Sequence, residues 1–173
     1  MFYFLRRQPV VLKYTAEQIE TITAHAQQTY PEECCGLLLG QVNRCQQPQV
    51  RCLVKVWQTQ NAWNLEAAAA MAELTETNQD KMTKIRRYWI DPGEIFQAQR
   101  QAREQNLEII GVYHSHPDQA AVPSESDRAV AWSSYSYIIV SVVQGKAQET
   151  RCWCLNEQNQ FEAEEMLSLT AQS

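Results

Sequence analysis

The sequence predicts an α/β domain built on a mixed sheet. Strand and helix patterns alternate through the first two-thirds of the chain, and two strand patterns pair as a hairpin near its end. The chain has 173 residues, 45% of them hydrophobic, enough for one core without staples. Residues 9–14 read as a short strand. Thr15 and Gln18 then form a capping box, and Ile19, Ile22 and Ala26 recur at helical spacing, which predicts a helix over 16–29 ended by Tyr30 and Pro31. Residues 35–42 are an apolar run typical of a buried strand. Val50, Cys52, Val54 and Val56 alternate with polar residues as in a half-buried strand, and a turn at 46–48 joins the two.

The stretch 62–84 reads as an excursion off the core, helical over its Ala-rich part at 65–74. Residues 87–90 read as a strand. Asp91 as N-cap, Pro92 at the first position and Glu94 at the third predict a helix start, and that helix runs to about Asn106. Residues 107–113 form a strand that delivers the chain to His114. A short helix is predicted over 125–132, strands over 137–143 and 147–155, and a turn at Gln144-Gly145. These elements place one domain over 1–173 with its core at about 10–155. The first dozen residues and the acidic tail around Glu162, Glu164 and Glu165 receive no assignment.

Composition excludes several classes of function. The formal net charge is −5, and no basic run occurs, so nucleic acid is not the expected partner. No apolar run is long enough to cross a membrane. The N-terminal apolar stretch precedes its arginines, the reverse of a signal peptide, so a cytoplasmic location with reduced cysteines is expected. Cys34-Cys35 and Cys152-x-Cys154 lack the spacing of a zinc ribbon, and the second pair is expected to face the core from one strand. His25 reads as a surface or packing residue.

The other two histidines are His114 and His116, directly after an apolar strand. A period of two puts both imidazoles on one face, where they can hold a zinc ion. A catalytic zinc wants a third protein ligand and an open position for water. Asp127, at the start of the next helix, is the best third ligand; Asp118 follows Pro117 at a turn and is expected to point outward. Ser124 and Asp127 also fit a helix cap, a purely structural role compatible with metal binding.

The whole string His114-Ser-His116-Pro117, six residues, Ser124, two residues, Asp127 resembles the JAMM motif of the MPN-domain metalloproteases. A fixed string of this kind arises by chance roughly once in 10⁵ chains of this length. The segment Pro31-Glu32-Glu33-Cys34-Cys35-Gly36-Leu37-Leu38 resembles the family's upstream glutamate segment, with Glu33 at the matching place. Asn61, Ile90-Asp91-Pro92 and Gly111-Val112-Tyr113 are also similar, and the likeness is strongest to small stand-alone bacterial members.

The resemblance implies a three-layer α/β/α fold with a mixed, largely antiparallel sheet, the cytidine-deaminase-like (JAB1/MPN) architecture. It implies one Zn2+ per chain with a bound water, held by His114, His116 and Asp127. It makes Glu33 the general base and then acid, and Ser124 the donor to an oxyanion. The implied substrate is a ubiquitin-like or sulfur-carrier protein with a C-terminal Gly-Gly, and the implied reaction is hydrolysis of a peptide or isopeptide bond after it. Residues 62–84 are longer than a minimal connection, and insertions near this position shape the substrate groove in family members. The oligomeric state is open, a homodimer included.

Rival readings fit less well. A nucleobase deaminase needs His-x-Glu and a later Pro-Cys-x-x-Cys, and a serine hydrolase needs a nucleophile elbow; none occurs. Members that serve as non-catalytic interaction scaffolds have lost ligands, whereas all five positions stand here. The DNA-repair-associated relatives are disfavoured by the acidic balance.

Overall fold

The computed structural model describes residues 10–45, 48–74 and 83–169. The sequence readings for Pro9, most of the 46–48 turn and the segment 75–82 lie outside the described residues. Along the chain run β1 (Val10–Tyr14), α1 (Ala16–Thr29), β2 (Cys35–Asn43), β3 (Gln49–Thr59), α2 (Leu65–Leu74), α3 (Pro92–Glu104), β4 (Glu108–Pro117), α4 (Glu125–Ala129), β5 (Ser136–Val143), β6 (Lys146–Leu155), β7 (Phe161–Ala163) and β8 (Glu165–Ser168). The strands form one sheet in the order β7-β6-β5-β4-β2-β3-β1-β8. It is mixed: β4–β5, β1–β3 and β1–β8 are parallel, and the other four pairings are antiparallel.

The two main helices cover opposite faces, which makes the three layers. Leu38 and Ile110 pack with Ile22 and Ala26 of α1 on one face. Leu37, Leu39 and Ile109 pack with Ala98 and Ala102 of α3 on the other. Strand alternation accounts for Leu37 to Leu39. In β4 the alternation is reset by a bulge: Leu38 faces Gly111 and Leu39 faces Ile109, so Ile110 is the extra residue. Beyond the bulge, Val112 joins the α3 face and Tyr113 the α1 face. Gly36 is required where it stands, since a Cβ there would lie 2.3 Å from the Tyr113 ring.

The predicted helix starts hold. Thr15 and Gln18 exchange both bonds of a capping box, and Asp91 accepts from the Gly93 amide at 2.7 Å. Three boundaries differ from the sequence reading. Residues 87–90 are not a strand. The side chain of Asn61 takes the place of a ladder partner there, donating to the Arg87 carbonyl and accepting from the Trp89 amide. The helix predicted over 125–132 stops at Ala129, where Val130 caps it, and the Trp132 amide is captured by the Tyr137 hydroxyl at 2.6 Å. The strand predicted over 107–113 continues through both histidines to Pro117.

The acidic tail closes the sheet. β7 pairs with β6 at one end and β8 with β1 at the other, with only Glu164 between them. One ribbon therefore joins the two ends and shields edges that would otherwise stand open. Glu164 is buried, its amide donates to the Cys152 carbonyl, and its carboxylate takes bonds from Arg51 and Ser136. Cys152 and Cys154 are both buried, as their shared strand face predicts. Asp118 is exposed, accepting from the Tyr30 hydroxyl and the Gln144 amide. His25 packs in α1 against the Tyr113 hydroxyl at 2.8 Å.

Candidate metal centre

With the β4 bulge behind them, Val112, His114 and His116 share the α3 face, and both histidines are buried. Their Nε2 atoms are 3.0 Å apart. The neighbouring Ser115 points the other way and accepts from the Cys34 amide at 2.8 Å, which locks β4 against the start of β2. After β4 the chain loops back to α4. Ser124 caps that helix in a full capping box, and the box aims Asp127. The Ser124 amide and hydroxyl both donate to Asp127 Oδ2, at 2.6 and 2.7 Å. Asp127 Oδ1 is then 3.3 Å from His114 Nε2, and Oδ2 is 3.6 Å from His116 Nε2.

This donor set fits a metal ion. A tetrahedral ion with ligands at about 2.0–2.1 Å separates them by roughly 3.3 Å, which is the scale of the three spacings here. One donor atom each from His114, His116 and Asp127 lies within 4.8 Å of the others. His116 Nδ1 donates to the Ala120 carbonyl at 2.9 Å, so its Nε2 carries the lone pair toward the centre. Burial pushes the His114 imidazole below its ordinary value, keeping it neutral as a ligand must be. Burial opposes ionisation of Asp127, but its interactions with His114 first, then His116 and Ser124, outweigh it and hold the carboxyl well below the usual range. His114 Nδ1 is buried without a hydrogen-bond partner, and its ring stacks on Tyr88 at 4.6 Å instead.

Glu33 enters from the bend between α1 and β2. Its amide donates to the Lys84 carbonyl at 2.8 Å and its carbonyl accepts from Asn61 at 3.0 Å, so its backbone is pinned on both sides. Its side chain is buried. Loss of hydration first, then repulsion from Asp127, raises its carboxyl well above the ordinary value, and Arg87 offsets part of this. The structure thus brings Glu33, His114, His116, Ser124 and Asp127 into one region. In this arrangement the Ser124 hydroxyl is spent on Asp127.

Beside the centre lies a groove of about 430 Å³, lined by Met71, Trp89, Ile95, Trp132, Tyr135 and Asp127. Met71 comes from the excursion predicted at 62–84, where Trp63, Ala67 and Met71 form a small cluster with Trp89 and Val130. The sequence reading gave no role to Tyr88 or to the Asn61 amide. Asn61 offers only its likeness to the family as a signal. Tyr88 offers none, because nothing local marks an irregular segment that folds over a histidine 26 positions on.

A family model described as prokaryotic homologs of the JAB domain matches residues 15–156. The chain belongs to the prokaryotic JAB family. The fold is accordingly the JAB1/MPN architecture, and all five candidate residues lie inside the matched span of this JAB domain. A desampylase of Pyrococcus furiosus is 25% identical over 129 residues, 75% of this JAB domain's chain and 71% of its own. A desampylase of Haloferax volcanii is 38% identical over 55 residues, 31% of this chain and 40% of its own. Two proteins solved in solution share the fold. That of Desulfitobacterium hafniense has a TM-score of 0.67 and 25% identity over 92% of each chain. That of Salinibacter ruber has a TM-score of 0.62 and 26% identity, over 95% of this chain and 94% of its own. No helix among the described residues is long and apolar enough to cross a membrane.

Proposed function

We propose that this JAB domain is a zinc-dependent peptidase or isopeptidase that cuts after the C-terminal Gly-Gly of a ubiquitin-like or sulfur-carrier protein. The observation that carries the reading is the convergence of two buried imidazoles and an ionised carboxylate, with a second, desolvated carboxyl beside them. The desampylase relatives support a ubiquitin-like substrate.

His114, His116 and Asp127 would hold the ion, with Ser124 and the Ala120 carbonyl orienting two of the three. Zinc bound there supplies Lewis acidity and lowers the pKa of a water in its open position. Glu33 takes a proton as water adds to the scissile carbonyl carbon. It returns that proton to the amine as the C–N bond breaks. Burial raises its carboxyl, which strengthens it as a base toward water, and once protonated it is the acid beside the leaving amine. A glycine pair passes a confined approach to the centre because it carries no side chains. The domain works in the cytoplasm in this reading.

The test is zinc content per chain followed by cleavage of Gly-Gly-extended carrier fusions, with and without chelator. About one zinc per chain and chelator-sensitive cleavage are expected. Failure of the reconstituted protein to bind zinc would overturn the reading and leave a non-catalytic scaffold.

A further inference from the structure

The string that carries the centre leaves open the identity of the residues between Pro117 and Ser124. They join the strand that bears both histidines to the helix that bears Asp127. Residues 118–124 lie in no helix or strand, and Asp118, Gln119 and Ala120 are exposed. A segment of this kind has no ladder to hold it and is ordinarily free to shift. The centre needs it to stay still. His116 Nδ1 donates to the Ala120 carbonyl at 2.9 Å, and that bond sets the direction in which Nε2 points.

Three consecutive carbonyls of the segment are held by side-chain donors from three neighbouring strands. The Ser141 hydroxyl of β5 donates to the Gln119 carbonyl at 2.6 Å. His116 of β4 takes the Ala120 carbonyl, which also accepts from the Val122 amide at 2.8 Å. The Trp153 indole of β6 donates to the Ala121 carbonyl at 3.0 Å. Each carbonyl fixes the plane of its own peptide unit, so the two outer bonds fix the planes on either side of the one that His116 holds.

The strand register explains how the three donors meet one segment. Ser141 is paired with His116 across β4 and β5, and Tyr137, four residues before Ser141, is paired with Trp153 across β5 and β6. With a period of two, all three donors stand on one face of the sheet. Ser141 is buried within an otherwise apolar run, Ile138 to Val142, where a hydroxyl costs stability unless it is bonded. Its bond goes to this segment. His114 has no equivalent support, since its Nδ1 is buried without a hydrogen-bond partner.

We propose that Ser141 and Trp153 are positioning residues of the metal centre: together they clamp the segment 119–121, so that the Ala120 carbonyl stays on His116 Nδ1 and the Nε2 lone pair stays on the ion. The proposal rests on the metal-binding part of the reading above. Neither residue is a ligand, and each acts through the backbone of the segment.

The test is Ser141→Ala and Trp153→Phe, singly and together, with Ser141→Thr to restore the hydroxyl. Thr15→Ala weakens the α1 cap and touches none of these groups, so it reports the effect of lost stability alone. Zinc dissociation constants are measured by chelator competition. Each single variant should bind zinc about 10-fold more weakly and the double variant about 100-fold, the range for disturbing the outer partner of a metal histidine. Ser141→Thr and Thr15→Ala should bind zinc as wild type does. In the metal-free protein, the His116 ring N–H, followed by NMR, should exchange with water roughly 10-fold faster in each single variant, the worth of one hydrogen bond. Wild-type zinc affinity in either single variant overturns the proposal. So does an equal fall in Thr15→Ala, or a fall in Ser141→Ala that Ser141→Thr does not recover. If Trp153→Phe fails to fold, Ser141→Ala and its rescue decide alone. If wild type binds no zinc, the metal reading fails, and the exchange of the His116 N–H still decides for or against the clamp.

Discussion

Two buried polar clusters stand in the same sheet, and they are balanced in opposite ways. At the seam where the tail closes the sheet, Arg51 donates to Ser136 at 2.9 Å and to Glu164 at 3.3 Å, and Ser136 donates to Glu164 at 2.8 Å. One positive and one negative charge cancel there, and among the described residues of the seam Arg51 Nε alone is left over. At the centre on β4, the carboxyls of Glu33 and Asp127 sit with two buried imidazoles, and burial keeps that of His114 from charging. The seam is complete in itself. The centre instead converges the Asp127 carboxylate and two ring nitrogens on one point, an arrangement suited to a cation. Burial of charge therefore does not by itself mark a candidate metal site; convergence of buried ligand atoms does.

The sharpest way to break this contrast is to remove a donor from the centre. Asp127→Ala should lose zinc and all measurable turnover, read by metal analysis of the purified protein, while its far-UV circular dichroism stays that of wild type. Retained zinc would mean that the cluster is not the ligand set. Next in size is Glu33→Gln. It should keep one zinc per chain and lose about 10²–10⁴-fold in kcat, the range of a general acid–base group. Near-full activity in that variant would remove Glu33 from the mechanism.

The seam should answer in stability rather than chemistry. Glu164→Ala leaves Arg51 buried and unpaired and should cost about 3–5 kcal/mol in denaturant unfolding. Replacing both partners, Arg51→Met with Glu164→Leu, should recover most of that loss, and zinc affinity should be unaffected in either protein. An Arg51–Glu164 variant that lost zinc would show that the two clusters are coupled. The smallest effect joins the two kinds of behaviour. Ser124→Ala removes a helix cap worth about 1 kcal/mol and an orienting bond to Asp127, whose loss should weaken zinc binding roughly 10–100-fold. A stability loss with unchanged zinc affinity would leave Ser124 as a cap alone.

The buried cysteines follow the same logic of burial. Desolvation pushes the Cys34 and Cys35 thiols up to about 12 despite hydrogen bonds from Ser115 and Thr59. Little thiolate exists at neutral pH, and these thiols should resist alkylation in the folded protein, whereas exposed Cys45 should label.

Much of the centre was legible in the sequence because its spacing is local. His114, His116, Ser124 and Asp127 fall within 14 positions, and two short-range rules place them: the alternation of a strand and the reciprocal bonds of a capping box. The same rules put α1 and α3 where their caps predicted. Residues 87–90 misled because their aromatic and β-branched side chains suit a strand, while the backbone partner is the distant side chain of Asn61.

What the sequence by itself determined is thus the α/β class, the helix starts and the histidine–aspartate string, because each depends on contacts a few residues apart. The tertiary structure decided the rest. It brought Glu33 from 81 positions before His114 in the chain, laid Tyr88 on that histidine, and used the acidic tail to close the sheet around Arg51. These depend on pairing and charge compensation between segments far apart in the chain, which no local period encodes.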